Sequence, residues 1–140
     1  MKRAVDAGAE IVTGGQPADV GSGYFYPPTL LAGAAQDSEI VQQEVFGPVL
    51  PILKWDDYDQ VINDANGVEY GLTSSVFTTN VNTVMQAVKD LNFGETYVNR
   101  EHFEGLQGFH AGWRKSGIGG ADGKHGLYEY LQSQVVYIRY

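Results

Sequence analysis

The 140-residue chain contains no cysteine. That absence excludes disulfides, thiolate metal centres and any catalytic thiol supplied by these residues. Basic side chains are scarce as well: nine Lys and Arg stand against seventeen Asp and Glu, and the net charge of −8 repels a phosphate backbone on average. Nucleic acid is therefore not an expected partner. No apolar run approaches the roughly 18 residues that a membrane-crossing helix needs, because charges, Gly or Pro interrupt each one, so no membrane partner is expected either. The opening Met1-Lys2-Arg3 has the charge of a secretory leader, but Asp6 and Glu10 fall where its apolar stretch would lie; a cytoplasmic protein without an export signal is expected.

What is present argues for a folded chain. Hydrophobic residues make up 43% and aromatics 12%, too apolar for disorder, and the length suits about one domain. Glycine, with 18 residues, is about twice as frequent as usual, and much of it lies between Gly105 and Gly126. Unusual backbone geometry is expected there.

Residues 1–9 read as the last turns of a helix stopped by Gly8, followed by a strand over Glu10 to Thr13 and an aromatic-anchored loop from Gly21 to Pro28. Thr29 to Ala32 is a second apolar run. Ser38 is positioned to cap a short helix reaching near Glu44, which Phe46-Gly47-Pro48 breaks before a strand from Val49 to Trp55. Asp56 then caps a helix from Asp57 to Ala65, and Leu72 to Phe77 reads as a buried strand. In the clearest helix, capped by Asn80, Val81, Val84, Met85, Val88 and Leu91 share one face. A strand over Thr96 to Asn99, a short helix near Leu127 to Leu131 and a final strand from Val135 to Tyr140 complete the chain. Strand and helix alternate from Val49 to Asn99, as βαβ units of a parallel sheet do, so the class is α/β.

Chemistry-bearing residues offer few local signals. His102, His110 and His125 lie near Glu101, Glu104 and Asp122, but their spacing matches no metal-ligand motif, and no metal is expected. Gly117 to Gly123 misplaces the third glycine of a dinucleotide loop, and Lys115 with Ser116 would point to opposite sides of an extended chain rather than form a nucleophile pair.

Longer segments say more. Gln43-Glu44-Val45-Phe46-Gly47-Pro48-Val49, Ala65-Asn66, Tyr70-Gly71-Leu72, Val76-Phe77-Thr78, Lys115-Ser116-Gly117-Ile118-Gly119 and Gly126-Leu127 together resemble the aldehyde dehydrogenase superfamily over essentially the whole chain. The stretch from Asn99-Arg100-Glu101 through Gln107 to Gly117 and Gly119 to Gly123 is most similar to its lactaldehyde dehydrogenase branch, which oxidises small 2-hydroxyaldehydes such as lactaldehyde and glycolaldehyde. Two departures from the commoner family wording stand out: Gly120-Ala121 replaces Arg-Glu, and His110 replaces a frequent substrate-pocket Phe.

The resemblance implies that residues 1–134 are the latter half of the catalytic domain and that 135–140 form an oligomerisation strand, giving a homo-oligomer. In the family a cysteine thiolate attacks the aldehyde, hydride passes to NAD or NADP, and a glutamate-activated water releases the acid; nucleophile, base and most of the cofactor domain precede the matched part. The missing N-terminal part of the enzyme is thus an expected partner, and no catalytic residue is expected here. Glu44 corresponds to the carboxylate accepting hydrogen bonds from the nicotinamide ribose, the alternative being a solvated helix-end carboxylate. Phe46 corresponds to a residue beside the nicotinamide, or else is a core anchor. His110 and Glu104 fall on the loop lining the aldehyde entrance, where a polar pair suits a hydroxylated substrate; alternatively they bond one another or the loop backbone. Asn99 is expected to bond backbone rather than do chemistry. The rival for the chain as a whole is a non-catalytic remnant that acts only in assembly.

Overall fold

The computed structural model describes all 140 residues, which divide into two units, Met1–Asp64 and Ala65–Tyr140. In the first, α1 (Lys2–Asp6) and β1 (Glu10–Thr13) are followed by β2 (Thr29–Ala32), α2 (Glu39–Gln42), β3 (Val49–Ile52) and most of α3 (Tyr58–Asn66). The apolar run at Thr29 to Ala32 is the central strand: β1 joins it antiparallel and β3 joins it parallel. Its two-residue alternation buries Thr29 and Leu31, and Leu31 packs with Ala4 and Ala9 into a small core edged by Met1, Ile40 and Val49. The buried Thr29 hydroxyl accepts from the Gly15 N–H at 2.9 Å and donates to the Pro27 carbonyl at 3.0 Å, so its burial leaves no polar group unmatched.

Several boundaries differ from expectation. β3 ends at Ile52 rather than Trp55, because its partner β2 ends opposite at Ala32 before Gly33 turns the chain with φ 68°. Ser38 occupies the N-cap of α2, but its hydroxyl donates to the Ala35 carbonyl at 2.6 Å instead of accepting from the helix. The helix ends at Gln42, short of Glu44. Asp57, not Asp56, caps α3: its Oδ1 accepts from the Gln60 N–H at 2.9 Å.

The second unit contains β4 (Tyr70–Gly71), β5 (Thr73–Val76), α4 (Val81–Asp90), β6 (Glu95–Val98), β7 (His110–Ala111), β8 (Trp113–Arg114), β9 (Gly120–Ala121) and α5 (Gly123–Glu129). β5, α4 and β6 form a βαβ unit with Thr73 opposite Glu95 and Val76 opposite Val98. β4 with β8 and β7 with β9 are antiparallel pairs. The α/β class holds, but with mixed sheets: parallel pairing runs as two separate pairs, β2 with β3 and β5 with β6, rather than as one ladder through β3, β5 and β6.

Asn80 caps α4 as expected, its side chain accepting from the N–H groups of Asn82 and Thr83. The apolar stripe of that helix is not a core face within the chain, however. Ala87 is its buried residue, whereas Val81, Met85 and Val88 are exposed. The C-terminal expectation also fails within the single chain: Val135 to Tyr140 form no strand, and Tyr137 is 93% exposed. A β-prone segment becomes a strand only where another edge supplies N–H and C=O partners, and none in the chain does.

The accessible surface is 10811 Å² for 15.3 kDa. A self-contained protein of that mass exposes about 7,100 Å², and even two bodies of half the mass expose about 8,600 Å² together. The excess goes with large apolar side chains left exposed in both units, Phe46 and Leu50 in the first and Val81, Met85 and Tyr137 in the second. No helix is long and apolar enough to cross a membrane.

Candidate functional site

In the first unit, Gln43 leaves α2 with extended backbone and Glu44 follows in the exposed connection to β3. The chain then enters the left-handed region at Phe46, φ 55°, a conformation that costs a non-glycine residue about 1–2 kcal/mol. The turn throws the ring outward: Phe46 is 93% exposed, so it is not a core anchor within the chain. It borders an open hollow of about 800 Å³, with Tyr24, Tyr26, Val45 and Pro17 among its walls. A carboxylate with no partner inside the chain and an outward aromatic two residues later can receive a ligand carrying hydroxyls and a flat ring.

The second unit holds His110 on β7, where it faces Ala121 of β9. Two glycines permit that placement. A Cβ on Gly120 would stand 2.4 Å from the His110 carbonyl oxygen, and one on Gly94 would stand 1.6 Å from that of Ala111. The Gly120 departure from the commoner wording is thus what lets β9 close on the His110 strand.

His110 does not meet Glu104. Glu104 is exposed and forms no hydrogen bond or ion pair with it; the carboxylate beside His110 is that of Glu95, whose Oε2 lies 3.1 Å from Nδ1. The ring is turned so that no hydrogen bond is completed, and Nδ1 is buried without a partner. Sequence reasoning missed Glu95, although a two-residue alternation in β6 puts it on the face of Tyr97. The Tyr97 hydroxyl donates to the same Oε2 at 2.7 Å. His102 stacks on the Tyr97 ring with centroids 5.0 Å apart, and Arg100 approaches that ring at 5.8 Å. His102 is itself fixed between Thr73 Oγ1 at 3.2 Å and Ser75 Oγ at 2.5 Å.

The hydrogen bond to Glu95, followed by burial and the nearby Glu95 and Glu104 charges, pushes the Tyr97 phenol up to about 12 from 10.0. Its folded-state value is raised, so its contribution to stability is complete below pH 10 and is lost as pH rises through about 12. Tyr97→Phe should therefore flatten the alkaline unfolding profile between those limits. An alkaline profile identical to the parent's would contradict the bond's role.

The remaining candidates have local duties. Asn99 bonds backbone as expected: its Oδ1 accepts from the Thr78 N–H at 2.9 Å and its Nδ2 donates to the Thr78 carbonyl at 2.8 Å. Lys115 pairs with Glu69 at 2.6 Å, while Ser116 Oγ accepts from the Gly71 N–H at 2.9 Å. His125 stays against Phe109, 5.3 Å between centroids, and no three His, Asp or Glu side chains converge on a metal-sized space. Gly117 to Gly123 supplies β9 and the entry to α5.

Residues 1–136 match the aldehyde dehydrogenase family. The chain is 59% identical over 139 residues to lactaldehyde dehydrogenase of Escherichia coli (strain K12), covering 99% of this chain and 29% of that protein. It is 44% identical to 3,6-anhydro-alpha-L-galactose dehydrogenase of Streptomyces coelicolor, covering 98% of this chain and 28% of the relative. A crystal structure of the Escherichia coli lactaldehyde dehydrogenase superposes with a TM-score of 0.94 over 98% of this chain and 28% of its own. A 3,6-anhydro-L-galactose dehydrogenase solved in complex with NAP superposes at 0.95 with 42% identity, over 99% of this chain and 30% of that one. The chain therefore spans under a third of the relatives it matches. With the motifs, the fold and the sequence match in agreement, the chain belongs to the aldehyde dehydrogenase family.

Proposed function

We propose that these residues are the C-terminal part of an NAD(P)-dependent aldehyde dehydrogenase that oxidises small 2-hydroxyaldehydes, such as lactaldehyde and glycolaldehyde, to their acids. The observation that carries the substrate class is His110: a half-exposed imidazole stands where the commoner family wording has Phe, in a chain 59% identical to a lactaldehyde dehydrogenase. A polar side chain there favours a substrate hydroxyl and disfavours an alkyl group. Glu104, exposed in the connection that precedes β7, is read as a second acceptor at the aldehyde entrance.

Glu44 and Phe46 fit the nicotinamide riboside end of the cofactor. The unpartnered Glu44 carboxylate has two oxygens for the ribose diol, and the exposed Phe46 ring offers a flat face to the nicotinamide. The cofactor, NAD or NADP, supplies a hydride acceptor. These residues carry no thiol, and the family resemblance implies that the nucleophilic cysteine is supplied by the N-terminal part of the enzyme. The intact enzyme is read as a cytoplasmic homo-oligomer in which Val135 to Tyr140 pair as a strand with a neighbouring subunit; their exposed β-prone side chains support this.

Glu44→Gln in the intact enzyme tests the cofactor half of the proposal. It keeps one acceptor oxygen but removes the charge assistance, worth about 1.5–3 kcal/mol per bond to a charged group. Cofactor binding or turnover should weaken about tenfold or more while the fold survives. Unchanged cofactor KM and kcat would place Glu44 in solvent instead.

A further inference from the structure

We propose that Glu95 is a positioning residue for His110, holding the imidazole with its proton on Nδ1 and its Nε2 lone pair open to the substrate hydroxyl. The inference rests on the assignment of His110 to that hydroxyl. Nδ1 is buried away from water, and the Glu95 carboxylate, with Oε2 3.1 Å away, is the acceptor set against it. An ionised carboxylate only accepts. A bare Nδ1 would set its lone pair against the carboxylate oxygens, whereas a proton there gives an attractive contact that a small turn of the ring completes as a hydrogen bond. The other ring nitrogen is then an acceptor, the role that a hydroxyl donor needs.

The carboxylate is itself held in place. Glu95 is 13% exposed at its side chain, and its Oε2 also receives the Tyr97 hydroxyl at 2.7 Å. Tyr97 is fixed in turn by the stacked His102. The close backbone approaches at Gly94 and Gly120 fix the strand that carries His110. Both ends of the contact therefore sit on rigid elements, as precise orientation of a specificity group requires. An alkyl aldehyde has no hydroxyl to offer, so the effect of Glu95 should be selective.

The test compares kcat/KM for lactaldehyde and propanal in the intact enzyme, in the parent, Glu95→Leu, Glu95→Gln, Tyr97→Phe, His110→Phe and the Glu95→Leu/His110→Phe double variant. Glu95→Leu removes the acceptor at similar volume and should lower the lactaldehyde-to-propanal ratio about 5- to 50-fold, leaving propanal within about threefold of the parent. Glu95→Gln, which retains an acceptor oxygen of the same reach, should recover the ratio to within about threefold. In the His110→Phe background Glu95→Leu should move it less than about twofold, because the effect runs through the imidazole. If Glu95→Leu does not fold, Tyr97→Phe decides: freeing the carboxylate while keeping the ring should lower the ratio about 2- to 5-fold. The proposal is overturned if His110→Phe moves the ratio while Glu95→Leu, or in its absence Tyr97→Phe, leaves it at the parent value. Equal losses on both substrates, or a Glu95 effect that persists without His110, overturn it too. An unchanged ratio in His110→Phe instead removes the assignment of His110 on which it rests.

Discussion

In the intact enzyme, His110→Phe should move preference from lactaldehyde toward propanal by about 5- to 150-fold in the ratio of kcat/KM values. The substitution restores the commoner family side chain, leaves the 2-hydroxyl without its partner and adds apolar surface for an alkyl chain. Losing one such bond is worth roughly 1–3 kcal/mol, which sets the range. Because His110 lies on a two-residue strand whose backbone is held by β9, the ring can be exchanged without moving the loop. Steady-state kinetics with both aldehydes at saturating cofactor measure it. The same ratio in mutant and parent would mean that His110 serves only to hold its loop.

Residues 1–140 alone should oxidise no aldehyde and bind NAD(P) only weakly. The family reaction needs a thiolate to trap the aldehyde before hydride can leave, and the chain has no cysteine. The weak cofactor binding is expected because the resemblance implies that most of the family's cofactor domain lies outside these residues. The measurement is reduced-cofactor formation with lactaldehyde, set against buffer. Stoichiometric activity that survives repurification would overturn the family mechanism for this chain.

The sequence was most informative where local rules decide the outcome. Asn80 followed by a helical apolar period located α4 and its cap because capping and periodicity are properties of consecutive residues. That Val81, Met85 and Val88 of this face point to solvent within the chain was not legible, because periodicity identifies an apolar face without naming what covers it. The same limit applies to Val135 to Tyr140, whose strand propensity needs an edge that the chain does not contain. β2 was legible only as an apolar run, since its two neighbours arrive from opposite sides in sequence. At the site, His110 stood out by its replacement of Phe, but the neighbour assigned to it was Glu104, six residues earlier. Glu95, fifteen residues earlier, reaches it through the close approach of Gly94 to Ala111, which no local pattern encodes. What could have suggested Glu95 is its shared strand face with Tyr97, a carboxylate and a phenol two residues apart.

The most direct test of the central claim, that this segment belongs to an oxidiser of small 2-hydroxyaldehydes, is kcat/KM of the unmodified intact enzyme for lactaldehyde against propanal, with NAD and with NADP. The account predicts a preference for lactaldehyde of at least about fivefold, the lower bound of one hydrogen bond to the hydroxyl, with the better cofactor. Equal values, or a preference for propanal, would contradict it.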